Sequence, residues 1–153
     1  MGDAAIERLN GLLEVGAAIM VATRDEDNRP HATRGWGGRL DASAEHLDLY
    51  ITVSDDLHVV ADLEANGAVA VTLVRPTNYL AMQVTGYVEW IGDVTATDRE
   101  RIDAYIALFV DEVVTIGMPA SSGLLAGDRY MMIRIALQDF FEQTPGEKAG
   151  STL

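Results

Sequence analysis

Residues 54–76 read SDDLHVVADLEANGAVAVTLVRP, and this stretch decides the fold. Ser54 has the chemistry of a helix N-cap, because its hydroxyl can accept from a free N–H of the first turn. Leu57, Val60 and Leu63 then fall on one face of a helix. Asn66-Gly67 supplies the stop, since glycine accepts the left-handed conformation that closes a helix. AVAVTLV follows at once, with the length and branching of a buried strand. The same stretch poses a problem of charge: the helix carries no Lys or Arg and opens on Asp55 and Asp56.

Working outward, the upstream chain reads as one helix and three strands. Asp3 is placed to cap a helix whose Ile6, Leu9, Leu12 and Leu13 share a face. GAAIMVATR is a first strand, DEDNRP a polar turn, and HATRGWGGRL a second strand unusual for Gly35, Gly37 and Gly38. DASAEH turns the chain into a third strand, LDLYITV. Downstream, residues 79–91 alternate as a strand: Leu80, Met82, Val84, Val88 and Trp90 on one face, and Tyr79, Gln83, Thr85, Tyr87 and Glu89 on the other. Thr97 and Glu100 have the spacing of a capping box. Behind them Ile102, Tyr105, Ile106, Phe109 and Val113 recur at helical spacing. GMPASSGLLAGD is a loop, RYMMIRIAL a last strand, and residues 138–153 a polar tail turning at Pro145-Gly146.

The order is helix, three strands, helix, two strands, helix, strand. Short turns between strands predict antiparallel pairing. Six strands with helices at the gaps predict a mainly β, six-stranded antiparallel barrel rather than an open doubly wound sheet. A chain of 153 residues is expected to be one domain, with an N-terminal helix over 1–15, a barrel core over 16–137 and a tail over 138–153.

Eleven basic residues against 24 acidic ones give a net charge of −13, and Lys148 is the one lysine. That balance argues against nucleic acid as a partner, because nothing is available to replace the counterions of a phosphate backbone. It argues equally against an anionic membrane surface. With no cysteine there are no disulfides, thiolate metal sites or Cys nucleophiles. A cysteine-free chain whose first residues lack a basic n-region is expected in the cytoplasm.

His31, His46 and His58 are scattered over a strand start, a turn and a helix, with no metal-ligating spacing, so no metal is expected. No G-x-S-x-G elbow is present. RGWGGR fits neither the P-loop nor the dinucleotide pattern. Its glycines suit the close approach of another backbone or a flat ring, with Trp36 as a stacking surface; the alternative is a bulged strand with a core tryptophan. Tyr79, Gln83 and Tyr87 form a semi-polar stripe suited to a ligand wall or a subunit interface.

The element order, together with AAIMVATRDEDNRPHATRG, DLYITVSDD, VADLEANGAVAV and QVTGYVEWIGD, resembles the split-barrel flavoproteins related to pyridoxamine 5'-phosphate oxidase. The resemblance spans about residues 16–137. It implies a homodimer holding FMN in clefts between subunits. The phosphate would be gripped by a strand arginine, matched by Arg34, and by a lysine near the start of the helix. That lysine position falls on Val59, with His58 beside it. The C-terminal FFEQTPGEKAG lacks the basic residues with which true pyridoxamine phosphate oxidases hold their substrate, so vitamin B6 oxidation is not expected.

A flavin phosphate carries nearly two negative charges and requires charge-assisted donors. A like charge about 6 Å away costs roughly 3 kcal/mol at an effective dielectric of about 20. Two aspartates at the helix start therefore oppose a phosphate docked there. The expected phosphate ligand is Arg34, with Arg39 or Arg75 assisting and His58 as a further donor; Ser54 is expected among the cofactor-binding residues. Trp36 and Tyr79 would wall the ring, and Gln83 would hydrogen-bond it. No catalytic acid or base can be named. The leading expectation is an FMN-dependent oxidoreductase of unknown substrate. The alternative is a non-catalytic dimeric barrel that has lost FMN and binds another flat ligand. Haem is a third reading, with no histidine persuasively placed for the iron.

Overall fold

The computed structural model describes residues 2–54, 58–121, 125, 127 and 129–153. Six antiparallel strands close into a barrel: β1 (Ala18–Arg24), β2 (Pro30–Leu40), β3 (His46–Thr52), β4 (Ala68–Val74), β5 (Ala81–Asp93) and β6 (Tyr130–Glu142). Around the barrel the order is β1-β2-β3-β6-β5-β4, with β4 returning to pair with β1. Three helices accompany them: α1 (Asp3–Glu14), α2 (Val59–Asn66) and α3 (Ala96–Thr115). Among the described residues no helix is long and apolar enough to cross a membrane.

Alternation drives the barrel. In β1 and β4, Ile19, Val21, Val69, Val71 and Leu73 point inward and are buried, while Met20, Ala22, Ala70 and Thr72 face outward. Leu49, Ile51, Met82, Val84, Ile133 and Ile135 complete the filling. Burial of each such side chain contributes about 1.5–3 kcal/mol. Leu9 and Leu12 of α1 join the same core, as the periodicity of that segment predicts.

Several local expectations shift. The residue before α1 is Gly2, and Asp3 lies in the first turn, where its charge complements the helix dipole instead of capping. Ser54 does not cap α2: the helix begins at Val59 with His58 as its N-cap, and Ser54 is exposed beyond β3. Asp55, Asp56 and Leu57 lie outside the described residues. The helix stop is as read, with Gly67 at φ 69° and its N–H bonded to Leu63 O at 2.9 Å.

The third helix is capped two residues early. Thr95 and Asp98 form the reciprocal box, not Thr97 and Glu100. Asp98 also accepts from the Tyr50 hydroxyl at 2.6 Å, so the choice of cap is tied to packing on the barrel. Two bulges interrupt the β5–β6 pairing: the first leaves Gln138 of β6 unpaired opposite Thr85 and Gly86, and the second leaves Glu89 of β5 unpaired between Val88 and Trp90, where the alternation of β5 breaks. The second turns Trp90 outward, leaving it 47% exposed. Tyr79 precedes the strand, in a turn with φ 59°. β6 continues to Glu142, and the chain then folds back to pair Thr152 with Phe141.

Candidate functional site

β2 is the element that builds the site. It is regular up to Gly35, opposite Ile19 and Ile51, and then carries an irregularity before Gly38 rejoins β3 opposite Leu49. Gly37 adopts φ 92°, and a Cβ there would sit 3.0 Å from the Tyr105 ring. Gly37 thus serves the close approach of a flat ring, supplied by α3 of the same chain, whereas Gly35 makes room for the Ile19 side chain and Gly38 for the backbone oxygen of Asp48. Trp36 is buried and the strand is bulged, so both features named for RGWGGR occur together.

Arg34 lies opposite Met20 on the outer face of the barrel. Its guanidinium carbon is 4.9 Å from the centre of the Trp36 ring and 5.2 Å from that of Phe109 on α3. Those two rings meet edge-to-face at 5.6 Å, forming a slot for the cation. The Nε and Nη2 atoms of Arg34 are shielded from solvent and have no hydrogen-bond partner among the described residues. Burial lowers the Arg34 pKa, and the nearby Tyr105 phenol opposes that shift weakly.

A cavity of about 470 Å³ opens in front of this slot, lined by Met20, Ala32, Thr33, Arg34, Trp36, Thr52 and Leu125. Trp36 Nε1 donates to Thr52 Oγ1 at 2.9 Å, and Thr33 Oγ1 donates to Thr52 O at 2.7 Å. These bonds hold the indole and the end of β3 in place. The combination is an unpartnered cation, an aromatic wall and a hydroxyl-bearing rim. Chemically it suits a phosphate or carboxylate attached to a flat group.

The remaining expected ligands are not gathered here. His58 is exposed and lines another cavity with Asp25, Glu26, Asp27, His31 and Asp62, an acidic setting unsuited to phosphate. Arg75 is committed to Glu112 of α3, with nitrogen–oxygen distances of 3.1–3.3 Å, and the Thr77 hydroxyl donates to the same carboxylate. Tyr79 is 65% exposed in its turn. Val59 is fully buried in the core, so a lysine-like donor cannot replace it without repacking. Gln83 lies in one outer row with Arg34, Met20 and Thr72, three strands from Arg34, which is about 14 Å along the sheet. Its amide oxygen accepts from Gln143 Nε2 at 3.1 Å.

A neighbouring cavity of about 240 Å³ was not foreseen from the sequence, apart from Arg39. It is lined by Gly37, Gly38, Arg39, Tyr50, Arg101 and Tyr105. Tyr105 donates to Ala17 O at 2.7 Å, and burial pushes its pKa up. Burial, and then the bond to Asp98, raises that of Tyr50. Arg39 stands 3.7 Å from Asp48, whose carboxylate is held in a fork by Arg134 at 2.7 and 2.9 Å. Arg101 Nη1 donates to the Tyr50 hydroxyl at 3.5 Å and stands 3.6 Å from Asp98. Among the described residues, both arginines therefore keep unused donors. The signal available in the sequence was Arg101-x-x-x-Tyr105 on one helix face, which became meaningful only when packed on the bulge.

No protein-family model matches the chain, and no curated protein matches its sequence. Among solved structures it is similar to a protein described as an F420 reductase, with TM-score 0.51 and 22% identity over 86% of this chain and 94% of that one. It is similar to HupZ of Group A Streptococcus, with TM-score 0.51 and 17% identity over 98% and 99%. It is also similar to a Clostridium acetobutylicum protein related to general stress protein 26 of B. subtilis and assigned to the pyridoxinephosphate oxidase family, with TM-score 0.54 and 15% identity over 100% and 96%. These likenesses define the fold class, a six-stranded antiparallel split barrel. The chain has the barrel of the pyridoxamine 5'-phosphate oxidase type, and the resemblance drawn from the sequence is borne out at the level of fold.

Proposed function

We propose that this protein is an FMN-binding oxidoreductase that works as a homodimer on a small anionic substrate. The observation that carries the reading is the guanidinium of Arg34, whose Nε and Nη2 have no partner among the described residues, in an aromatic slot on a cavity of about 470 Å³. Leaving buried donors unmatched costs about 1–3 kcal/mol each. A phosphate would satisfy Nε and Nη2 together in the forked geometry that arginine favours. FMN, when bound, supplies the redox chemistry. The chain's own residues bind and orient: Arg34 takes the phosphate, and Trp36, held by Thr52, shapes the wall. Arg39 and Arg101 offer donors to an anionic group of the substrate beside Tyr50 and Tyr105.

The outer face of β1, β4 and β5 extends this site. Ala22, Ala68, Ala70, Thr85 and Tyr87 line an open apolar depression of about 340 Å³ there. Small side chains let a second copy approach closely, which would close the cavity over a bound ring. A second reading is favoured by the buried Val59 and by the single cation in the phosphate cavity: a dimeric barrel that binds a flat anion without redox function.

The test is the absorption spectrum of the protein as purified, followed by titration with FMN and with riboflavin. The proposed function expects a flavin spectrum or saturable FMN binding, preferred over riboflavin, and reduction of the bound flavin by a nicotinamide cofactor. Protein that is colourless and binds neither flavin refutes the first reading. Tight FMN binding with reduction refutes the second.

A further inference from the structure

We propose that His31 and His58 form a binding site for a divalent transition-metal ion of the zinc, nickel or copper type, at the end of the barrel where α2 packs on β1. The site is separate from the phosphate cavity, with which it shares no lining residue.

His31 stands opposite Thr23 across the β1–β2 pair. Asp62 on α2 reaches both. It is buried, accepts from Thr23 Oγ1 at 2.6 Å, and lies 2.7 Å from His31 Nδ1. A carboxylate oxygen accepting from Nδ1 fixes the proton there and leaves the Nε2 lone pair of His31 free. This is the arrangement that orients metal-ligating imidazoles and raises their basicity.

The second imidazole is in place. The ring of His58 lies 4.8 Å from that of His31, tilted by 40°. Two imidazoles bound to one tetrahedral ion at about 2.1 Å have ring centres about 5 Å apart. The cavity beside them measures about 420 Å³ and is also lined by Asp25, Glu26 and Asp27. Their surplus negative charge draws cations inward. Among the described residues no three such side chains stand in ligating geometry, so water completes the coordination shell. Two imidazoles select zinc, nickel or copper over magnesium or calcium.

Calorimetric titration of the intact protein near neutral pH with Zn²⁺, Ni²⁺ or Mg²⁺ alone tests the site. The expected result is uptake of one Zn²⁺ or Ni²⁺ per chain in the micromolar range, with no uptake of Mg²⁺. His31→Ala, His58→Ala and Asp62→Asn should each weaken binding about tenfold or more. His46→Ala should not, because that ring is held between Asp41 and Glu89. His58 is exposed, so its replacement leaves the core intact even if His31→Ala or Asp62→Asn disturbs folding. Absence of Zn²⁺ and Ni²⁺ binding, binding that survives His58→Ala, equal uptake of Mg²⁺, or equal loss in His46→Ala would each overturn the proposal.

Discussion

Replacing Arg34 by Met should strengthen the cofactor-free protein while removing its preference for a phosphate. Among the described residues the guanidinium leaves Nε and Nη2 unmatched, a cost of about 1–3 kcal/mol for each donor. Against this stand the contacts with Trp36 and Phe109, each contributing about 0.5–2 kcal/mol. Methionine keeps part of the stem's packing and adds sulfur–aromatic contact of roughly 0.3–1.5 kcal/mol. Because Arg34 is only half-buried, the net expectation is modest: a gain of about 1 kcal/mol, or about 2–4 °C in Tm for a chain of this size. Urea and thermal unfolding of the cofactor-free protein measure it. Flavin fluorescence titration gives the other half. Two charge-assisted bonds to phosphate, at about 1.5 kcal/mol each on the low side, give the wild type roughly a hundredfold preference for FMN over riboflavin. In Arg34→Met the two ligands should bind within a few-fold of each other. A variant that loses more than about 2 kcal/mol of stability yet keeps the FMN preference would refute the reasoning.

Two further outcomes follow from the ion pairs. Glu142 is bonded by Arg8 through both oxygens at 2.7 and 2.8 Å. Arg8, and then Thr144, pull its pKa to about 2. A depressed carboxylate pKa stabilises above the unfolded value and loses that contribution as pH falls toward the folded one. Glu142→Gln should therefore lower urea stability at neutral pH, with the difference from wild type fading between about pH 4.5 and 2; an undiminished difference at the acid end would contradict the assignment. Arg75→Ala should cost about 1 kcal/mol of stability through its lost pairing with Glu112 while leaving FMN affinity unchanged. A marked fall in that affinity would return Arg75 to the cofactor site.

Much of the barrel was legible because its signals are local. Alternation in AVAVTLV sets which side chains of β4 enter the core, and Asn66-Gly67 ends α2 because glycine reaches φ 69° without a Cβ clash. Arg34 and Trp36 could be named because a cation and an indole two residues apart on a glycine-rich strand are chemically distinctive. The misplacements have a common cause. Thr95/Asp98 and Thr97/Glu100 are near-equivalent caps in sequence, and the Tyr50 hydroxyl on a distant strand selects Asp98. Ser54 is the better capping residue, yet α2 starts at Val59, which is fully buried in the core.

By itself, the sequence determined the order of elements, the inward faces of most strands and the absence of thiol chemistry, because periodicity and composition are properties of neighbouring or summed residues. Only the tertiary structure decided which groups have partners. Arg75 is neutralised by Glu112, whereas Nε and Nη2 of Arg34, between two rings, have no partner among the described residues. Trp90 is turned outward by a bulge. His31 and His58, which look scattered along the chain, meet ring to ring over Asp62. Partnership of this kind depends on strand register and helix docking, and those are settled by the packing of the whole barrel rather than by any one stretch of it.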